Sequence, residues 1–450
     1  MTKNIVVIGS GPGGYPAALR AAALGANVTV IEKGEIGGVC LNCGCIPSKS
    51  LLDAAHRFDI VKGIAALANE EAVNATPNWE KISARRAAVI SKLKMGIMSL
   101  FKAKKVNFIR GQAAFTAKNE IEVTTDGVKQ KINFDAAIIA AGTHAFLPKL
   151  FADNKHHIVD NSTVFGMQKR PDIITIIGGG VIGCEFASLF NSLGTKVNIV
   201  EMQPTLVPGE DETSIRVLTT SFTKRGINIM TSKTAVDMTV DGDKKIITLE
   251  SGEKLESDCV LVAVGREAHL GDLGLDNIGI GWTRKGIEVN PQTLEIVDNI
   301  YAVGDVNGLC LLAHAASKQG EVAAANAMGH KEVYNNDLIP KAMYTHPEVA
   351  SVGLNKTQAE KLGKTVKVNK AFYMANGRAL TQEETEGQLQ IISDADSGKI
   401  LGAAIAGANA SEMIHIFSVA ITAAMTTAQL RDIVFAHPTL SELITEALSK

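Results

Sequence analysis

The chain has 450 residues, too many for one hydrophobic core, so two to four domains are expected. Apolar residues make up 46% and charged residues 20%, and 45 basic against 47 acidic residues leave a formal net charge of -2. That balance gives no reason to expect nucleic acid or an anionic membrane as a partner, and no uncharged apolar stretch reaches the roughly 18 residues of a membrane helix.

Met1-Thr2-Lys3-Asn4 leads directly into the apolar run Ile5-Val6-Val7-Ile8, so no signal or transit peptide is expected. Of six cysteines, Cys40, Cys43 and Cys45 are clustered while Cys184, Cys259 and Cys310 are scattered. That distribution suits a reducing compartment with one purposeful pair, and the expected location is the cytoplasm. Ile5 to Lys33 predicts a strand, a Gly9-x-Gly11-x-x-Gly14 turn, a helix closed by glycine, and a second strand ending in Glu32. Trp79 to Lys105 predicts a long amphipathic helix, and Asn119 to Phe134 a hairpin turning at Asp126-Gly127. Ala136 to Gly142 and Cys259 to Gly265 predict buried strands ending in glycine.

The first unit then recurs. Ile174 to Met202 aligns on Ile5 to Lys33 without a gap, Gly178 following Gly9 and Glu201 following Glu32 by the same 169 positions. Gly9 and Gly178 permit the tight turn, and Gly11 and Gly180 let the backbone approach a pyrophosphate. Gly14 and Gly183 allow the helix to pack closely on its strand. The pyrophosphate would sit at the positive end of that helix. Glu32 and Glu201 can accept hydrogen bonds from ribose hydroxyls, and a carboxylate there repels a 2′-phosphate, so NAD is expected over NADP. One such turn is weak evidence; two at a single offset imply two bound dinucleotides. From Pro340 onward the pattern changes to strands, turns and helical runs, an α+β block.

Cys40 and Cys45 are separated by four residues a short way beyond the first turn. A disulfide closing so small a loop constrains the unfolded chain little, so redox chemistry is the better reason for the pair. Residues five apart do not share a face of an ideal helix. A loop or distorted turn must bring their Cα atoms within about 7 Å, and Gly44 and Pro47 supply that irregularity. A zinc site of Cys40, Cys43 and Cys45 is the competing reading, although no second Cys/His pair of suitable spacing follows.

With two dinucleotide folds around this pair, the chain resembles the flavoprotein disulfide reductases over nearly its whole length. The resemblance is carried by the two glycine turns, the Cys40–Cys45 segment, Gly304-Asp305, Ala313-His314-Ala315, Thr345-His346-Pro347-Glu348 and His437-Pro438-Thr439-Leu440-Ser441-Glu442. It implies an α/β architecture of two Rossmann-like domains and a C-terminal α+β dimerisation domain. The expected divisions are 1–145 for FAD, 146–266 for NAD, 267–339 completing the FAD site, and 340–450 for the interface.

The same resemblance implies residue roles. The first fold would hold FAD and the second NAD, with Asp305 at the ribityl and pyrophosphate region. Gly142, Ala313 and Gly265 would lie among the cofactor-binding positions. Cys45 would be the charge-transfer thiol beside the flavin and Cys40 the interchange thiol toward substrate. Lys49 and Glu185 would pair beside the flavin; for Glu185 alone, a place in the first turn of its helix is the plainer alternative. His437, oriented by Glu442, would act as general base, serving Cys40 across a homodimer interface. Cys43 stands where the family commonly has an aliphatic residue, either as a small apolar substitute or as a competing thiol.

The implied activity is oxidation of dihydrolipoamide, carried on a lipoyl domain of a 2-oxoacid dehydrogenase or glycine cleavage complex, with NAD+ as acceptor. No metal is called for. The rival readings are an NAD(P)H-driven reductase of glutathione, another small disulfide or mercury, and a non-catalytic flavoprotein scaffold. Glu201 weighs against NADPH, and retention of Cys40, Cys45, His437 and Glu442 weighs against a scaffold.

Overall fold

A computed structural model describes residues 2–64, 75–268 and 270–449. The chain separates into two compact units, Met1–Ser50 with Ser83–Phe146 and Gly265–Asn336, and Leu51–Ile82 with Leu147–Val264 and Asp337–Lys450.

The first unit is built on β1 (Asn4–Ile8), α1 (Gly14–Ala23) and β2 (Asn27–Glu32), followed by α2 (Gly38–Cys43) and α3 (Cys45–Ile64). In β1, Ile5 to Ile8 are all buried, as a parallel strand covered on both faces requires. The sheet has six strands in the order 295–297, 300–302, 136–139, β1, β2, 107–110. All neighbours are parallel except the first pair. One face of α1 buries only small residues, Gly14, Ala17, Ala18 and Ala21. It packs against the helix Ala313–Ala327, where a Cβ on Gly320 would overlap the Gly13 carbonyl. The three-stranded antiparallel insert 112–117, 120–125 and 128–133 buries Phe115, Ile121 and Val123.

The second unit repeats the plan. Strands 228–231, 196–201, 173–177, 259–262 and 159–160 form a parallel sheet, with the helix Val181–Ser192 following the second glycine turn. Beyond residue 340 a five-stranded antiparallel sheet runs 341–343, 349–353, 400–406, 388–394, 366–372. Helix Ala410–Thr422 packs on its strands 349–353 and 400–406, and Glu442–Leu448 on 366–372 and 388–394. Their shared core includes Phe417, Ile405, Leu389 and Leu443. The α/β class with a C-terminal α+β block is therefore observed.

Three expected elements end early, each for a visible reason. The long helix spans Trp79–Ala103 because Lys105 takes a left-handed conformation and Val106 N bonds back to the Phe101 carbonyl, a helix-terminating turn. The strands expected to reach Gly142 and Gly265 stop at Ile139 and Val262, where the next carbonyls, of Ala140 and Ala263, lie against Gly9 and Gly178. The hairpin turns at Asp126-Gly127 as expected, both with positive φ.

Candidate functional site

The dithiol is made by a break between two helices. Gly37 and Gly38 both take positive φ and open α2, which carries Cys40 and ends at Cys43. Gly44 then turns the chain out of the helix, with φ -142 and ψ -115. A Cβ there would stand 2.9 Å from the Val39 carbonyl oxygen and 3.2 Å from the Cα of Cys40. Only glycine lets the backbone tuck so close to Cys40, and Cys45 follows at once as the first residue of α3. Pro47 falls in that first turn, where its missing N–H costs nothing. The Asn42 amide donates to the carbonyls of Gly38 at 2.8 Å and Ile36 at 3.0 Å, pinning α2 to its own entrance.

Cys40 and Cys45 are thiols here and are hydrogen-bonded to each other. That bond, then burial and the neighbouring sulfur's charge, push the Cys40 thiol well above its usual range, while Lys49 opposes the shift. Two adjacent sulfurs cannot both ionise cheaply, so loss of a proton from one thiol opposes its loss from the other. Lys49, four residues beyond Cys45 on α3, lies on the same helix face as Cys45 and favours the negative charge. Tyr15, on α1, is held above the ordinary phenol range by burial and by the charge of Cys40. Nothing in the sequence pattern pointed to Tyr15. Cys43 closes α2 and is half-buried.

Both glycine turns have the same internal geometry. A Cβ on Gly9 would overlap the Ala140 carbonyl, and one on Gly14 the Gly9 carbonyl; Gly178 meets the Ala263 carbonyl and Gly183 the Gly178 carbonyl in the same way. The middle glycines differ. Gly180 has nothing within 4 Å of a would-be Cβ, and Gly11 only the Gly38 Cα at 3.8 Å, so that side of each turn is open to a ligand. The acidic residues also match. Glu32 accepts from Ser10 N at 2.8 Å and Gly34 N at 2.7 Å, and Glu201 from Gly179 N at 2.6 Å and Gln203 N at 2.7 Å. Each carboxylate is buried and braces its own glycine turn while standing at the end of the second strand. An open glycine face at a helix start beside a fixed carboxylate fits the diphosphate and ribose of FAD or NAD.

Asp305 follows strand 300–302 and Gly142 follows its parallel neighbour 136–139, so both lie at the carboxyl edge of the first sheet. Ala313 is the first residue of the helix that packs on α1. Asp305 is not alone: Thr143 and Arg266, neither singled out by the sequence, hold its carboxylate. Gly265, with φ 141, precedes Arg266 in the short antiparallel pair of 266–267 with 144–145.

The remaining site residues are in the second unit. Glu185 is the fifth residue of helix Val181–Ser192 and not in its first turn, so the helix-end alternative fails. Its carboxylate accepts from Tyr344 N at 3.0 Å. Lys49 belongs to the first unit and Glu185 to the second. His437 Nδ1 lies 2.9 Å from Glu442 Oε1, and Glu442 Oε2 accepts from Thr439 N at 2.9 Å. The His437 side chain is 80% exposed in the single chain. Both His346-Pro347 and His437-Pro438 are cis. Glu348, in the first of these turns, accepts from Ser411 N at the start of helix Ala410–Thr422. Burial pushes the Cys184 thiol far up and that of Cys259 up to about 12, so neither is suited to thiolate chemistry. Among the described residues no three His, Cys, Asp or Glu side chains are grouped as a metal site would need.

Comparison with known proteins agrees along the whole length. Residues 3–320 match the family profile for pyridine nucleotide-disulphide oxidoreductases, and residues 339–448 match that family's dimerisation domain. The chain is 38% identical over 447 residues to a dihydrolipoyl dehydrogenase of Geobacillus stearothermophilus, covering 98% of this chain and 94% of that one. It is 37% identical to that of Zymomonas mobilis, covering 99% and 97%. Among solved structures, LpdA from Mycobacterium tuberculosis superposes with a TM-score of 0.93 at 26% identity, over 100% of this chain and 99% of that one. The HOCl-induced flavoprotein disulfide reductase RclA from Escherichia coli does so with 0.89 at 26% identity, covering 99% of each. The family uses FAD and NAD, and the C-terminal α+β block described above is the part that matches its dimerisation domain. With residues 3–320 and 339–448 matched, the chain belongs to the pyridine nucleotide-disulphide oxidoreductase family.

Proposed function

We propose that the protein oxidises dihydrolipoamide to lipoamide and reduces NAD+ to NADH. The observation that carries this reading is the hydrogen-bonded Cys40–Cys45 pair in a chain 38% identical to a dihydrolipoyl dehydrogenase over nearly its full length.

In the oxidised protein a substrate thiolate attacks Cys40 in the Cys40–Cys45 disulfide and Cys45 leaves as a thiolate stabilised by Lys49. Attack by the second substrate thiol on the mixed disulfide then releases lipoamide and the Cys40 thiol. Free thiols near pKa 8.5 are mostly protonated at neutral pH, so a base must accept their protons. His437 takes that role, with Glu442 holding the ring. The exposure of His437 in one chain supports its use by another: His437 of the partner subunit would serve Cys40, making the dimer obligatory for turnover. The first fold, through Gly9, Gly11, Gly14, Glu32, Gly142, Asp305, Ala313 and Lys49, would hold FAD. Gly178, Gly180, Gly183, Glu201 and Gly265 would hold NAD. FAD held by the first fold would supply the two-electron redox chemistry that links the Cys40–Cys45 dithiol to NAD+. Glu185 would pair with Lys49.

The chain is read as four parts, 1–145, 146–266, 267–339 and 340–450, acting in the cytoplasm on a lipoyl domain of a 2-oxoacid dehydrogenase or glycine cleavage complex. Among the described residues no helix is long and apolar enough to cross a membrane. The test is NAD+ reduction by dihydrolipoamide beside NADPH oxidation by glutathione disulfide. The second activity without the first would sink the proposal in favour of a small-disulfide reductase.

A further inference from the structure

Three polar side chains meet at the carboxyl edge of the first sheet. Arg266 Nε donates to Thr143 Oγ1 at 2.8 Å, and Arg266 Nη2 to the Thr143 carbonyl at 2.6 Å. Thr143 Oγ1 donates in turn to Asp305 Oδ2 at 2.9 Å, and Arg266 Nε stands 3.5 Å from that same oxygen. The arginine and aspartate side chains are only 13% and 23% exposed. Among the described residues Asp305 Oδ1 accepts no hydrogen bond.

The backbone makes this meeting obligatory. Thr143 and Asp305 follow neighbouring parallel strands, and antiparallel pairing sets Arg266 opposite Ala145. A withdrawn carboxylate beside a diphosphate site is a problem of like charges, which a cation held against it removes. Holding both partners through one threonine also restricts the rotamer of Asp305, because Oδ2 is committed and Oδ1 is not.

We propose that Arg266, acting through Thr143, is a positioning residue for the flavin: it neutralises Asp305 and turns Oδ1 toward the hydroxyls of the ribityl chain. The inference rests on the reading that the first fold holds FAD. A purely structural ion pair would instead act on the protein with or without cofactor, and partly buried pairs are weak evidence for stability in themselves.

The experiment uses the full chain stripped of flavin, with FAD affinity read by quenching of flavin fluorescence and with the melting temperature of the apoprotein. Arg266→Ala should weaken FAD binding about tenfold or more, and Thr143→Ala several-fold. Thr143→Ser and Arg266→Lys should restore part of the loss. In an Asp305→Asn background Arg266→Ala should have little further effect, since no charge remains to be neutralised. The apoprotein should melt as the wild type does. Unchanged FAD affinity in Arg266→Ala would overturn the proposal. So would an equal loss in the Asp305→Asn background, a matching fall in apoprotein melting, or a rise in KM for NAD+ alone. Wild-type apoprotein that takes up no FAD would instead overturn the cofactor reading, and this inference with it.

Discussion

His437 Nδ1 is held 2.9 Å from Glu442 Oε1 while the other oxygen of Glu442 accepts the Thr439 amide at 2.9 Å. The Thr439 amide, and then His437, hold the Glu442 carboxyl below its ordinary range. An ionised carboxylate only accepts, so Nδ1 carries the proton and Nε2 is left as the basic nitrogen. His437→Gln should therefore lower dihydrolipoamide-dependent NAD+ reduction about 10²- to 10³-fold. Glu442→Ala should cost less, about tenfold, because the base survives and only its orientation is lost. NADH oxidation by ferricyanide, which needs no thiol deprotonation, should stay near the wild-type rate in both. Equal loss of the two activities would remove His437 from the thiol chemistry.

The two glycines of the second turn separate folding from binding. Gly178 has φ 106 and its Cβ would overlap a carbonyl, whereas Gly180 has open space around it. Gly178→Ala should destabilise the protein by about 1–3 kcal/mol in thermal or denaturant unfolding. Gly180→Ala should leave stability within about 0.5 kcal/mol and raise KM for NAD+. A normal KM in Gly180→Ala would show that the open side of the turn does not face the nucleotide.

Thiol labelling should divide the cysteines by burial. Cys184 and Cys259 are buried and their thiols are pushed up, so in the native reduced protein neither should react with a disulfide reagent until the chain unfolds. Cys40, Cys43, Cys45 and Cys310 are only partly buried and should supply the native-state signal. Cys43→Val should leave turnover within about twofold, as expected of a small side chain at a helix end. If Cys43 competes for disulfide formation, that variant should also resist peroxide better than the wild type; equal sensitivity would assign Cys43 to packing alone.

His346 should impose an acid limit on stability. Burial first, then Arg225 and His56, hold its pKa below the usual imidazole value, against the opposing carboxylates Glu384 and Asp59. The unfolded chain then binds a proton near pH 6.5 that the folded chain refuses. Stability from this group is complete above pH 6.5 and is lost as pH falls through the lower folded value. His346→Gln should reduce the fall in melting temperature between pH 7 and 5 by about 1–3 °C. An identical pH slope would assign the acid limb to other groups.

What the sequence determined by itself is local. Ile5–Lys33 and Ile174–Met202 could each be read as strand, turn, helix and strand because short-range sterics demand glycine at the turn and an apolar run in a doubly covered strand. Cys40 and Cys45 were legible for the same reason, since Gly44 lies between them and a five-residue spacing excludes a plain helix. The tertiary structure alone decided which distant residues meet. Tyr15 comes within electrostatic range of Cys40 by the placement of α1, and Arg266 reaches Asp305 only through strand pairing between segments more than a hundred residues apart. His346 acquires His56, Asp59, Arg225 and Glu384 in the same way. Glycine positions and periodicity act over a few residues, whereas charge neutralisation at Asp305 depends on strand order, and no local pattern encodes strand order.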